Sequence, residues 1–131
     1  MRYIGIDYGS KRIGIAVSDE DGWIAFPREV IEGGDDERVF RRIGDIVKQE
    51  NVGCVVVGLP IPFGGGSSKQ TEDIRMFAEH LSELVQLPVE LENEVLTSRM
   101  GEKEGVRKED LDKASAALIL QSYLDKKNQE S

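Results

Sequence analysis

The sequence predicts an α/β domain built on a five-stranded mixed sheet, three antiparallel strands followed by βα units, with helices on both faces. Three observations predict it. Up to Ile31 the chain alternates short apolar segments with tight polar turns, the pattern of an antiparallel meander. From Asp35 onward, apolar residues recur at helical spacing. Between two such stretches, Cys54-Val55-Val56-Val57-Gly58 is a continuous apolar run, as expected for a central parallel strand covered on both faces.

Taken in order, residues 3–7 and 12–18 read as the first two strands, joined by the turn Tyr8-Gly9-Ser10-Lys11. Asp19-Glu20-Asp21-Gly22 is a second turn with Asp-Gly chemistry, and residues 24–31 form a third strand whose Pro27 suits a sheet edge. Asp35 is placed to cap a helix running to about Glu50, with Val39, Phe40, Ile43, Ile46 and Val47 on one face. After the apolar strand comes a glycine-rich loop from Leu59 to Ser68. A second helix, 69–85, follows, with Ile74, Phe77, Ala78, Leu81 and Val85 turned to the core. Residues 88–92 alternate as a fifth strand, with Glu90 in solvent. The polar stretch 98–108 has room for a short helix. A last helix begins near Asp110, carries Leu111, Ala114, Leu118 and Leu120, and frays from Lys126.

The 131 residues, 39% hydrophobic, suit one domain, assigned to 1–127 with 128–131 as a frayed tail. No apolar run approaches the ~20 residues of a membrane helix, and no leader pattern opens the chain. With Cys54 as its single cysteine, the sequence predicts a cytoplasmic protein without disulfides or a thiolate metal cluster. A net charge of −8 excludes a protein that coats nucleic acid by bulk electrostatics. It leaves open local binding, because residues 1–20 carry three bases against three acids and 95–113 five against five.

Four segments can carry chemistry. In Gly5-Ile6-Asp7-Tyr8-Gly9-Ser10-Lys11 an aspartate ends a central strand, where burying a carboxylate is costly without a cation or hydrogen bonds. The glycines would let a ligand approach, and Ser10 with the turn amides would hold a phosphate; the plainer reading is an Asx turn closing a hairpin. Ser67, Ser68 and Lys69 open a helix after a glycine-rich loop, where a phosphate can sit, although Ser68 is equally an N-cap and no P-loop spacing is present. Glu94 lies beyond the last apolar residue of the fifth strand, on the crevice edge that Asp7 shares. Asp110 and Asp112 suit a helix start, with Asp110 as N-cap. The small residues 114–117 would let that helix approach the sheet, holding Asp112, in its first turn, near the strand ends.

Asp7, Glu94 and Asp112 are hard oxygen donors of the kind that Mg²⁺ or Mn²⁺ prefers, and one or two such ions can activate water against a phosphodiester. His80, mid-helix and the only histidine, argues against a histidine triad or a zinc site, and Cys54 reads as inert core.

These segments together resemble the RNase H-like superfamily and, within it, the bacterial YqgF family of pre-16S rRNA nucleases, also described as Holliday-junction-resolvase-like. The resemblance covers essentially the whole chain and rests on GIDYGSKRIGIAVSD at 5–19, VVGLPIPFGGGSSKQ at 56–70, ENEVLTS at 92–98 and DKASAALILQSYLD at 112–125. It implies Asp7, Glu94 and Asp112 as metal-binding catalytic acids. It also implies a five-stranded mixed sheet, dependence on Mg²⁺ or Mn²⁺, and endonucleolytic trimming of precursor 16S rRNA near its 5′ end. Asn93 and Val95 stand where the family usually has Asp and Arg, with Arg99 a substitute for the missing arginine, and Ser115 replaces an alanine.

The expected partner is therefore RNA, precursor 16S rRNA within an assembling ribosomal subunit, contacted at its phosphates by Ser10, Lys11, Arg12, Ser67, Ser68, Lys69, Arg99, Lys103, Arg107 and Lys108. Branched DNA is the alternative substrate, because both readings depend on phosphates and shape; a resolvase would need a symmetric dimer, and the expectation spans a monomer and a weak homodimer. A non-catalytic nucleic-acid-binding module is a third reading, encouraged by the altered third motif. The Asp7-Tyr8-Gly9-Ser10 segment also resembles the first phosphate motif of sugar kinases and actin-like proteins, but those need two lobes, and the length here supplies one.

Overall fold

The central strands are buried on both faces. The structure, a computed structural model, describes residues 1–60, 68–93 and 108–129, the side chains of 108–111 excepted. Its elements are β1 (Arg2–Tyr8), β2 (Arg12–Ser18), β3 (Ala25–Glu32), α1 (Asp36–Glu50), β4 (Val52–Leu59), α2 (Lys69–Val85), β5 (Val89–Asn93) and α3 (Lys108–Gln129). The sheet runs β3-β2-β1-β4-β5. Its first three strands pair antiparallel, whereas β4 lies parallel to both β1 and β5. The meander and the central apolar strand are both present, and β3 is an edge. Its register shifts beside Pro27, between the pairs Ile15↔Glu29 and Ala16↔Pro27. A proline and a bulge together blunt that edge against further strand addition.

Each helix of the first face is stopped by local chemistry. The Asp35 carboxylate accepts from the Arg38 backbone N–H at 3.2 Å, and α1 ends at Asn51, in the left-handed region at φ 54°. At the start of α2 the Ser68 and Thr71 side chains form a reciprocal capping box. Ile43 and Ile46 of α1 and Ile74 and Leu81 of α2 then close over Ile4, Ile6, Ile15, Val55 and Val57.

The opposite face is covered by α3. Ala116, Ile119, Leu120 and Leu124 lie on Tyr3, Ala16, Cys54 and Val56. The helix approaches the sheet closely because two strand positions lack side chains. A Cβ on Gly5 would lie 2.7 Å from the Leu120 Cβ, and one on Gly14 would lie 2.0 Å from the Asp112 carbonyl oxygen. Gly5 and Gly14 thus admit a helix, not a ligand.

Two expectations about this helix are corrected. It begins at Lys108, so Asp110 lies inside the first turn instead of capping it, and Asp112 falls in the second turn. At the other end it continues to Gln129 instead of fraying from Lys126. Lys126 bonds Glu92, the Lys127 ammonium stands 4.5 Å from the Tyr3 ring centre, and Asn128 donates to the Gly22 carbonyl at 3.0 Å. Most of the glycine-rich loop (61–67), and 98–107 of the polar stretch, lie outside the described residues.

Candidate active site

The β1–β2 hairpin supplies one half of the site. Asp7 stands opposite Gly14 in the ladder and shares its parity along β1 with Tyr3 and Gly5, on the α3 face of the sheet. Its carboxyl is pushed up to about 6, first by burial and then by the negative charge of Asp112. Arg12, the first residue of β2, lies on the same hairpin, beyond the turn.

The second half arrives with α3. Because Gly14 has no side chain, the backbone at Asp112 rests directly on β2. There Arg12 Nε donates to Asp112 Oδ2 at 2.7 Å, and the two side chains are 35% and 27% exposed. Two carboxylates in electrostatic contact, one of them paired with the Arg12 guanidinium, form an acidic centre that attracts a further cation. Among the described residues, no third histidine, cysteine or carboxylate joins them in a metal cluster. Glu94 lies outside the described residues, as do Ser67, Arg99, Lys103 and Arg107; Lys108 begins α3, its side chain undescribed.

The other sequence-derived candidates divide. Ser10 and Lys11 are exposed at the hairpin turn. With Arg12 they line a groove of about 910 Å³, whose other walls include Arg28 and Glu32 of β3 and Lys113 of α3. Gly9 is accounted for by the turn, since a Cβ there would lie 2.6 Å from the Arg12 carbonyl oxygen. Lys69 is exposed at the start of α2, whereas the Ser68 hydroxyl accepts from the Thr71 N–H at 3.2 Å, so its capping role is the one observed. Cys54 is buried and its thiol is pushed up to about 11 by that burial, in keeping with inert core. The His80 ring meets the Phe40 ring edge-on, with 6.3 Å between ring centres.

Two residues were not anticipated in their observed roles. Arg12, assigned to phosphates, is the partner of Asp112. Glu92 is 5% exposed, accepting from Ser122 Oγ at 2.8 Å and Lys126 Nζ at 2.7 Å, while Leu91 is 36% exposed. The signal for Glu92 is the serine–lysine pair four residues apart on one helix face, which can satisfy a buried carboxylate.

The sheet order, the covering helices and the Asp7–Asp112 pair can be compared with known proteins. A family model described as RuvX, Holliday junction resolvase, matches residues 1–126. The chain belongs to this family. A relative from Bacillus cytotoxicus, named "Putative pre-16S rRNA nuclease", is 39% identical over 97% of this chain and 100% of its own length. Another of the same name, from Pelotomaculum thermopropionicum, is 41% identical over 95% of this chain and 87% of its own. Among solved structures, Thermus thermophilus RuvC in complex with a Holliday junction substrate superposes with a TM-score of 0.62 at 13% identity. It covers 98% of this chain and 96% of that one. This likeness establishes the RNase H-like fold, and the four-motif resemblance and the RuvX family model agree.

Proposed function

We propose that this chain is a metal-dependent endonuclease that hydrolyses phosphodiester bonds in structured RNA, its substrate being the 5′ region of precursor 16S rRNA during assembly of the ribosomal subunit. The observation that carries the reading is the convergence of Asp7 and Asp112 near the C-terminal end of the central strand β1, through the opening at Gly14. The names of the relatives supply the substrate.

The donor set fits a divalent ion: Asp7, raised by its burial and by the charge of Asp112, and Asp112 itself are hard carboxylates whose charge Mg²⁺ or Mn²⁺ would offset. Asp7 and Asp112 would hold one or two such ions, with Glu94, just beyond β5, as the third ligand. Bound there, the metal supplies Lewis-acid stabilisation of the charge that develops on a phosphodiester. The chain itself binds and orients the strand: Lys11 and Arg12 in the groove, Lys69 at the α2 N-terminus, and Arg99, Lys103, Arg107 and Lys108 hold backbone phosphates. We place the enzyme in the cytoplasm as a monomer or weak homodimer; no helix among the described residues is long and apolar enough to cross a membrane.

A second reading, resolution of branched DNA, is favoured by the family description. One experiment separates the two. Precursor 16S rRNA and a four-way DNA junction are incubated in parallel, with Mn²⁺ or EDTA, with the parent protein and Asp7→Asn. RNA cut near its 5′ end, lost in EDTA and in Asp7→Asn, supports the proposal. Cleavage of the junction alone selects the second reading, and an Asp7→Asn protein as active as the parent sinks both.

A further inference from the structure

Arg12 has two destinations within reach. Its Nε bonds Asp112, yet the same side chain lines the groove with Lys11 and Lys113, and at 35% exposure it is not locked in place. We propose that Arg12 is an exchangeable counter-ion that holds Asp112 until a divalent cation takes that carboxylate, and then turns into the groove to bind a backbone phosphate. The inference rests on the function proposed above and adds to it a coupling between the two ligands.

The physical basis is charge. Asp7 and Asp112 repel each other, and Arg12 is the cation that now offsets Asp112. A guanidinium and a divalent ion sharing one carboxylate repel each other, so Arg12 is displaced when the ion binds. A partly exposed ion pair is weak enough to exchange. Displaced from Asp112, the guanidinium meets the groove, where it can chelate phosphate oxygens with its planar fork. Either ligand, by drawing Arg12 away from Asp112, prepares the site for the other. Such coupling is reciprocal: nucleic acid must tighten the metal by the factor with which the metal tightens nucleic acid.

The test measures Mn²⁺ affinity of the full chain by electron paramagnetic resonance, with and without a short phosphorothioate RNA. In the parent protein, saturating RNA should tighten Mn²⁺ by about fivefold or more. In Arg12→Gln, Mn²⁺ should already bind more tightly than in the parent without RNA, and adding RNA should change it little. Arg12→Lys keeps the charge but not the fork; it should bind Mn²⁺ more tightly than the parent and retain part of the coupling. It carries the test if circular dichroism finds Arg12→Gln unfolded. Unchanged or weaker Mn²⁺ binding in the variants, or full coupling without Arg12, overturns the inference alone. Absence of any Mn²⁺ binding by the parent overturns it together with the proposed function.

Discussion

The Asp112 carbonyl oxygen fills the space that a side chain at Gly14 would need: a Cβ there would lie 2.0 Å from that oxygen. Gly14 also faces Asp7 across the ladder. The contact that docks α3 therefore sets the spacing of the two carboxylates. Gly14→Ala should force the helix outward, at a cost of about 3 kcal/mol, the upper end of overpacking, and weaken metal binding. Gly44→Ala, in α1 with open space around its Cβ, should instead add about 1 kcal/mol. Urea denaturation of both variants checks the pair.

Asp7 gives the protein a pH signature. Its folded value, about 6, lies above the ordinary 3.8, so between these values the folded state holds more proton than the unfolded chain. Stability from this group is thus present at low pH and falls as pH rises through the window, in the absence of metal. Asp7→Asn removes the penalty and should be more stable than the parent at pH 7.5 in EDTA by about 3 kcal/mol. The advantage should vanish near pH 4. Denaturation curves at the two pH values decide it.

Metal should reverse the sign of that comparison. A ligand bound only by the folded state raises the unfolding temperature. Mn²⁺ is expected to raise Tm for the parent protein and not for Asp7→Asn or Asp112→Asn, and EDTA should abolish the rise. Equal shifts in all three proteins would place the bound metal elsewhere.

The Glu92 carboxylate is buried, and its lysine partner is 60% exposed. Lys126→Ala should cost about 1 kcal/mol, since Ser122 still donates to the acid. Glu92→Ala should cost more, because it strips both donors of their acceptor and opens space under α3. A double-mutant cycle on Glu92 and Lys126, read by thermal melts, should give a coupling clearly different from zero.

Where local rules act alone, the chain could be read directly. Asp35 and Ser68 cap the helices they precede, Pro27 lies on an edge, and the run 54–58 lies inside a covered central strand. The ends of α3 were harder. Asp110 offers capping chemistry inside the helix, and the polar stretch from Lys126 looks frayed until its tertiary partners are present. Glu92 was missed for a similar reason: alternation between Val89 and Leu91 assigns the even positions to solvent, and only the facing helix decides that Glu90 is outside and Glu92 inside. Asp7 and Asp112 were legible as acids beside small or glycine-rich neighbours. The hydrogen bond from Arg12 to Asp112 spans 100 residues of sequence, and no local pattern encodes it.

That separation has a consequence in time. Asp7, Arg12 and Gly14 belong to the first hairpin, whereas Asp112 belongs to the last helix described. A chain emerging from the ribosome exposes the hairpin early but lacks the second carboxylate until nearly all of the fold has been synthesised. The site is thus assembled by the same docking event that completes the sheet's second core. A partly made or partly folded copy holds the charge of the first acid without its partner, and so lacks the carboxylate pair.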